Sequence, residues 1–345
     1  MGVPGLAPPH DRYDCLFVSP HADDVALSCP GRLLWERDRG SRCLVLALFE
    51  SADVSSEVAT ALRRLGVDYL AAGLPPARRR LAADAPFGEV AFGRRDEDED
   101  WLAQAVRLLA EVGPRVKPRH VYAPLGVGGH IDHRLAHEAA LRAFAGEAGR
   151  NVFFYEERPE ALIPGGVRVR LGLMGARLPP GAAEAPDRAG LTRYVLSFHV
   201  APALRGDLRG WSDRLRSTGS AAREWRLARA WNPQRAFGPR FQPVVHLVED
   251  EQRTAVREAV AAFLPGGRKG RERRRRRFEA LTASYARRLG GTGYAERFWL
   301  LLPSTEGTPG IPLPWRSARV EPQLVSATVS STRQRSGSCS HRVLK

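Results

Sequence analysis

The chain has 345 residues, of which 43% are hydrophobic and 26% charged, and its formal net charge is +15. This length allows a large hydrophobic core, and no stretch approaches the roughly 18 consecutive apolar residues that are typical of a membrane span. Residues 1–11 lack the basic and apolar regions of a signal peptide, so we expect a cytoplasmic protein. Since no Cys-x-x-Cys pair occurs, we expect free thiols, mostly buried, at Cys15, Cys29, Cys43 and Cys339.

The charge is concentrated in the C-terminal part. Residues 1–200 contain 25 Lys and Arg against 26 Asp and Glu, whereas residues 201–345 contain 28 against 12. A nearly neutral N-terminal part favours a neutral or zwitterionic small-molecule substrate. The arginine-rich run at 268–277 keeps a non-catalytic nucleic-acid-binding protein open as an alternative, because clustered arginines neutralise phosphates. Aromatic residues are not interleaved with these arginines, so we predict a solvated helix face and no specific nucleic-acid partner.

Predicted strands and helices alternate through the first 160 residues. Such alternation indicates an α/β fold, and we predict a Rossmann-like three-layer sandwich with a mostly parallel sheet and helices on both faces. The strands are predicted at 15–19, 42–49, 67–72, 120–124 and 151–155, and the helices at 25–37, 54–65, 98–112 and 131–144.

After residue 161 the elements become shorter and richer in Pro and Gly. A strand is predicted at 167–173, and helices are predicted at 204–229, 251–263 and 271–289. We expect one catalytic domain at 12–202 and a basic, mainly helical C-terminal extension at 203–302. Gly, Pro, Ser, Thr and Arg dominate residues 303–345, which predicts a disordered tail.

Two short polar blocks stand at strand ends. The first, Ser19-Pro20-His21-Ala22-Asp23-Asp24, follows the strand at 15–19, and the second, Gly129-His130-Ile131-Asp132-His133, follows the strand at 120–124 and its loop. Open α/β sheets bind ligands beyond the carboxyl ends of their strands, so we expect the two blocks to converge.

A His-Asp-His set from these blocks fits a catalytic zinc site. Zinc accepts imidazole nitrogen and carboxylate oxygen, and such a site has three protein ligands and one position for water. We predict His21, Asp24 and His133 as the ligands. The side chains of adjacent aspartates diverge on a tight turn, so Asp23 can face the bound water as general base.

The remaining polar residues of the second block suggest supporting roles. His130 is predicted to contact the substrate oxygen or the leaving nitrogen, and Asp132 to orient a histidine ligand. A simpler interpretation is that Asp23 and Asp24 only cap the following helix. Capping requires one aspartate, not two that follow a histidine.

The two blocks resemble the signatures of the PIG-L/LmbE-like family of zinc-dependent N-deacetylases. The similarity covers about residues 13–202 and includes the segments 27–29, 65–70, 122–129 and 154–159. It implies one zinc ion per chain, held by His21, Asp24 and His133. It also implies Asp23 as general base and His130 as acid or electrostatic stabiliser. The reaction would remove an acyl group, such as acetyl, from the amide nitrogen of an N-acyl amino sugar or a related small molecule.

Two residues depart from the family pattern. Val25 stands where many members have a glutamate, and Gly128 stands where some have a tyrosine that stabilises the oxyanion. The first departure weakens assignment to the thiol-cofactor branch without changing the metal ligands, and the second places more of the transition-state stabilisation on zinc and His130. An amidase acting on a thiol conjugate or an antibiotic precursor is one alternative, and a two-metal phosphoesterase is another. Other divalent metals also suit a His-Asp-His site. The sequence predicts neither the general acid nor the oligomeric state.

Overall fold

The computed structural model describes residues 8–50, 60–63, 65–80, 96–147, 149–182, 187–197, 222–264, 268–303 and 341–343. The strands are β1 (Cys15–Ser19), β2 (Cys43–Ala47), β3 (Asp68–Ala71), β4 (His120–Pro124), β5 (Asn151–Tyr155), β6 (Phe241–Leu247), β7 (Ala295–Leu301) and β8 (His341–Val343). The helices are α1 (Asp24–Ser28), α2 (Pro30–Asp38), α3 (Ala77–Arg80), α4 (Glu97–Val116), α5 (Ile131–Phe144), α6 (Gly166–Leu173), α7 (Arg188–Val195), α8 (Asp250–Phe263) and α9 (Arg268–Arg288). Residues 60–63 and 222–230 are also helical, and Glu160–Leu162 form a 3₁₀ turn.

The strands form one mixed sheet in the order β3-β2-β1-β4-β5-β7-β6-β8. The first five are parallel, and β7, β6 and β8 join by antiparallel pairing. The chain passes from β1 to its neighbour β2, and after β3 it crosses to β4 on the other side of β1. The carboxyl ends of β1 and β4 therefore meet where the direction of winding changes, which is where open α/β sheets bind ligands.

Helices cover both faces of the sheet. Along β1, Leu16 and Val18 face a core cluster with α4 and α5, whereas Cys15 and Phe17 face a second cluster with α1, α2, α8 and α9. Successive side chains of a strand point to opposite faces, and all five residues of β1 are buried. The predicted three-layer α/β fold is confirmed.

Two predicted elements differ in the structure. The helix predicted at 25–37 is divided into α1 and α2, because Pro30 has no N–H to continue the first helix and instead begins the second. The prediction of a strand at 167–173 was wrong, because these residues belong to helix α6. Valine and leucine alternate there with Arg168 and Arg170, a pattern that is typical of a strand with one solvent-exposed face. Both arginines instead donate hydrogen bonds to backbone carbonyl groups of neighbouring segments, so they do not form such a face.

The C-terminal extension is continuous with the sheet. Its predicted helices at 251–263 and 271–289 correspond to α8 and α9, but β6 and β7 were not predicted. The predicted helices at 54–65 and 204–229 lie mostly outside the described residues. Of the predicted tail at 303–345, the structure describes residue 303 and β8, which pairs with β6.

None of the helices that the structure describes is both long and apolar enough to cross a membrane. The cytoplasmic location stays a prediction. The predicted thiols of Cys15, Cys29 and Cys43 are free and buried, whereas Cys339 lies outside the described residues.

A buried carboxylate joins the antiparallel part of the sheet to α2. Glu296 of β7 is 1% exposed and accepts hydrogen bonds from the backbone N–H groups of Gly31 (2.7 Å) and Arg32 (2.8 Å) at the start of α2. Because Glu296→Ala leaves two buried donors unsatisfied, we expect it to lower the free energy of unfolding by about 2–4 kcal/mol. Urea denaturation measures this. Glu258→Ala, on the exposed surface of α8, is the control, and an equal effect in both variants would contradict the assignment.

Candidate metal centre

Two of the three predicted ligands, His21 and His133, lie close to one carboxylate oxygen of the third, Asp24. Asp24 begins α1 directly beyond β1, and its Oδ2 atom lies 3.2 Å from Nδ1 of His21 and 3.4 Å from Nε2 of His133. The backbone N–H of His21 also donates to the same oxygen, at 2.8 Å. Potential ligand atoms of the three side chains lie within 4.8 Å of one another, close enough to hold one metal ion.

The second ring nitrogen of each histidine faces another buried carboxylate. Nε2 of His21 lies 2.9 Å from Oδ2 of Asp132. Nδ1 of His133 is buried without a hydrogen-bond partner, 3.4 Å from Oε1 of Glu157. Metal-binding histidines are commonly oriented by such carboxylates. In each ring, the nitrogen that faces Asp24 is therefore the one that could bind a cation. Two imidazoles and one carboxylate are a donor set that fits zinc.

Asp132 is held by three donors at once. It is fully buried and contacts His21, the backbone N–H of Ala77 (2.9 Å) and the guanidinium of Arg80 (2.7 Å). Burial alone would raise the pKa of this carboxyl, but the hydrogen bond and charge of His21, followed by Arg80, lower it. Asp132 is thus a carboxylate that links the second block to the first.

Asp23 does not serve as a helix cap. It occupies the N-cap position of α1, yet its side chain makes no capping hydrogen bond. Burial, followed by repulsion from Asp24, raises its pKa to about 6. The pKa of Asp24 is lowered instead, because the charge of His133 and the hydrogen bond from His21 outweigh the effect of burial. Two adjacent carboxyls thus differ in basicity, and the interpretation that both only cap the helix does not fit.

His130 occupies the N-cap position of α5, beside both predicted histidine ligands. Its ring centre lies 5.4 Å from that of His21 and 5.2 Å from that of His133. Its Nδ1 atom accepts a 3.3 Å hydrogen bond from the backbone N–H of Asp132. Burial, followed by the charge of His133, lowers its pKa to about 3. A neutral imidazole that accepts through Nδ1 has its proton on Nε2, and this N–H can donate to a substrate.

The neighbouring charges also shift the pKa values of the two predicted histidine ligands, His21 and His133. Burial disfavours a charged imidazole, but hydrogen bonds to Asp132 and Asp24 outweigh it and raise the pKa of His21 well above its ordinary value. For His133, the charge of Asp24, followed by the nearby carboxylate of Glu157, outweighs burial and raises the pKa to about 9. Both rings lie in an electrostatic field that favours positive charge, as a site for a divalent cation requires.

Glu157 and Arg80 support the centre and were not predicted as site residues. Glu157 accepts hydrogen bonds from the backbone N–H groups of Gly126 (2.5 Å) and Val127 (3.1 Å), which holds the loop before His130. Arg80 orients Asp132. Neither carries a local sequence signal, because each reaches the centre from a separate segment. Glu50, three residues after β2, accepts a 3.2 Å hydrogen bond from Ala22 N–H and so lies beside the first block.

Comparisons with known proteins find a matching family model and two similar curated proteins. Residues 16–144 match the family model described as "PIG-L: GlcNAc-PI de-N-acetylase". A 2'-N-acetylparomamine deacetylase of Streptomyces fradiae is 33% identical over 167 residues, which are 44% of this chain and 58% of the relative. A protein of the same name from Niallia circulans is 25% identical over 190 residues, covering 43% of this chain and 68% of the relative. The chain thus matches little more than half of the length of the first relative.

Solved structures resemble the fold over most of the chain. The zinc-inhibited form of a teicoplanin deacetylase has a TM-score of 0.52 at 18% identity, with 85% of this chain and 99% of that chain covered. A deacetylase complex from the teicoplanin biosynthesis pathway has a TM-score of 0.53 at 19% identity and the same coverage. At this level of identity, the similarity supports the fold alone.

Proposed function

We propose that the chain is a zinc-dependent N-deacetylase of acetylated amino sugars, a proposal that the match of residues 16–144 to the PIG-L family model supports. The main support for this proposal is that His21 and His133 both lie close to Asp24. Asp23 is adjacent, and its side chain makes no helix-capping hydrogen bond. A second metal would need further ligands, and the other His/Asp group of the described residues shares His21 with the first. We therefore favour a mononuclear hydrolase over a two-metal phosphoesterase.

His21, Asp24 and His133 would hold the zinc ion. When bound, zinc supplies a water molecule of lowered pKa and a Lewis acid for the acyl carbonyl. Asp132 and Glu157 stand behind the two rings and would fix their orientation.

Asp23 and His130 would carry the proton and charge movements of the reaction. Asp23 accepts a proton from the attacking water, because its pKa of about 6 makes it the more basic carboxyl of the pair. The Nε2–H of His130 donates a hydrogen bond to the oxyanion that develops on the acyl carbon. The proton held by Asp23 then passes to the leaving nitrogen, and the products are acetate and a free amine. Atoms balance, since one water molecule is consumed for each amide bond broken.

The substrate class rests on the relatives rather than on the site geometry. The proteins from Streptomyces fradiae and Niallia circulans are named for an N-acetylated amino sugar. We propose an N-acetyl amino sugar, or an antibiotic precursor that contains one, as the substrate of this chain. The carboxylate of Glu50, which is half-buried beside the first block, would accept a hydrogen bond from a sugar hydroxyl or ammonium group.

Metal content and product release test the proposed function together. We expect elemental analysis of the purified protein to give one zinc ion per chain. We also expect acetate and free amine to appear in equal amounts from N-acetylparomamine or N-acetylglucosamine derivatives. Chelation should abolish this activity, and added zinc should restore it. Two metals per chain with phosphate-ester hydrolysis and no amine release would refute the proposal.

The orientation of His21 leads to a separate prediction. Asp132→Asn weakens the interaction that fixes the His21 ring, so we expect zinc affinity to fall by about 10- to 100-fold. A competition titration with a chelator of known affinity measures the change. Asp98→Asn is the matched control, because Asp98 also contacts Arg80, at 3.5 Å, and is not among the carboxylates that contact His21. Equal losses of zinc affinity in both variants would assign the effect to Arg80 instead.

A further inference from the structure

Two glutamates flank the metal centre at the carboxyl edge of the sheet. Glu50 follows β2 and Glu160 follows β5, whereas the two polar blocks follow β1 and β4, which lie between those strands. Adjacent strands lie about 4.8 Å apart, so three steps separate β2 from β5 by roughly 14 Å. A substrate bound at the metal centre therefore has a carboxylate on either side of it.

The side chain of Glu160 packs against the loop that leads to His130. A Cβ atom on Gly128 would lie 2.5 Å from Cγ and 3.5 Å from Cδ of Glu160, and the φ of Gly128 is +84°. A larger residue at position 128 would therefore displace Glu160 and strain the backbone. The glycine at this position gives the carboxylate of Glu160 its place beside the second polar block.

The carboxylate of Glu160 forms no ion pair with any residue that the structure describes. It is half-buried, and it is not a member of the described His/Asp groups that could hold a metal ion. Burial is the largest effect on its pKa and raises it to about 7; the charge of His133 opposes this rise, and repulsion from Asp24 and Glu157 adds to it. Glu160 is thus a carboxylate near the metal centre whose charged form a cationic ligand would stabilise.

We propose that Glu160 is a specificity-determining residue that binds a free ammonium group of the substrate. This inference rests on the proposed deacetylase function and narrows its substrate class: the sugar has one acetylated amine at the metal centre and at least one amine that is free. An ammonium group donates up to three hydrogen bonds, and its charge balances that of the carboxylate. A sugar hydroxyl would donate one hydrogen bond and leave the charge of Glu160 unbalanced.

Steady-state kinetics with two sugars test this role. With 2'-N-acetylparomamine, whose remaining amines are free, we expect Glu160→Gln to raise KM about tenfold, the effect of losing a hydrogen bond to a charged group. The kcat should change less than twofold, because this contact is the same in the bound substrate and in the transition state. For the wild-type protein, kcat/KM should be at least tenfold lower with N-acetylglucosamine, which has no free amine.

A matched variant and a binding measurement separate this role from a structural one. Glu111→Gln removes the same charge from the exposed surface of α4, near Val116, which bonds to the segment before β1 at the opposite edge of the sheet. In calorimetric titrations with paromamine, Kd should rise about tenfold in Glu160→Gln and stay within twofold of the wild type in Glu111→Gln. The zinc content and the Tm of Glu160→Gln should match those of the wild type.

Three outcomes would overturn the role of Glu160 alone. They are equal KM and Kd values in Glu160→Gln and the wild type, loss of zinc from Glu160→Gln, which would make Glu160 a metal ligand, and similar wild-type kcat/KM for both sugars. In each of them the wild-type protein still releases amine, so the proposed deacetylase function stands. Absence of amine release from both sugars by the zinc-loaded wild type would instead refute that function and this inference with it.

Discussion

Replacing Asp23 by asparagine is expected to lower kcat by about 10²- to 10⁴-fold, the usual contribution of a general base. Asparagine has nearly the same shape but cannot accept the proton of the attacking water. The zinc content should stay at one ion per chain, because Asp24 rather than Asp23 faces both histidine ligands. Initial rates of acetate release, together with elemental analysis of the same sample, measure the two effects.

Two comparisons make the Asp23 prediction specific. Asp14→Asn introduces the same chemical change at the exposed amino end of β1, opposite to the metal centre, and should leave kcat within twofold of the wild type. Loss of zinc in Asp23→Asn would instead make Asp23 a ligand. Unchanged kcat with retained zinc would assign the role of base to another group, such as Glu50 beside the first block.

The sequence predicted that the two polar blocks come together, because the residue pattern of each block is local. His21 and Asp24 are three residues apart on one strand-end turn, and His130 and His133 are three apart at the start of α5. The convergence of the two segments followed from parallel strands that end at one edge of the sheet. Glu157 could not be predicted in the same way, because its role depends on the pairing of β5 with β4 and on the shape of the loop that it holds.

The antiparallel strands show a second limit of sequence patterns. β7 contains Glu296 and Arg297, which resemble the polar residues of a surface segment, yet both side chains are buried. Arg297 donates to Glu156 at 2.6 Å, and Glu296 accepts from the start of α2. Pro243 similarly argues against an inner strand, although β6 lies between β7 and β8. The charges of β7 are satisfied by residues far away in the chain, so no local pattern marks it as core.

Asp24→Ala is expected to abolish both zinc binding and turnover. Asp24 Oδ2 is the atom on which the two histidines converge, so its removal leaves two imidazoles without the carboxylate that completes the three-ligand set. Zinc content should fall below detection after gel filtration, and acetate release should fall to the uncatalysed rate. Comparing this variant with Asp23→Asn is informative because the two residues are adjacent. Asp23→Asn should keep the metal and lose turnover, whereas Asp24→Ala should lose both.

A folding defect must be separated from the loss of a ligand in this variant, because Asp24 is 8% exposed and begins α1. Far-ultraviolet circular dichroism and the thermal transition of Asp24→Ala should match those of the wild-type protein after chelation. His133→Ala, which removes a ligand from α5 instead of α1, should reproduce the loss of zinc. Full zinc occupancy in either folded variant would disprove the His-Asp-His centre, because three side chains that share one cation cannot each be dispensable for holding it.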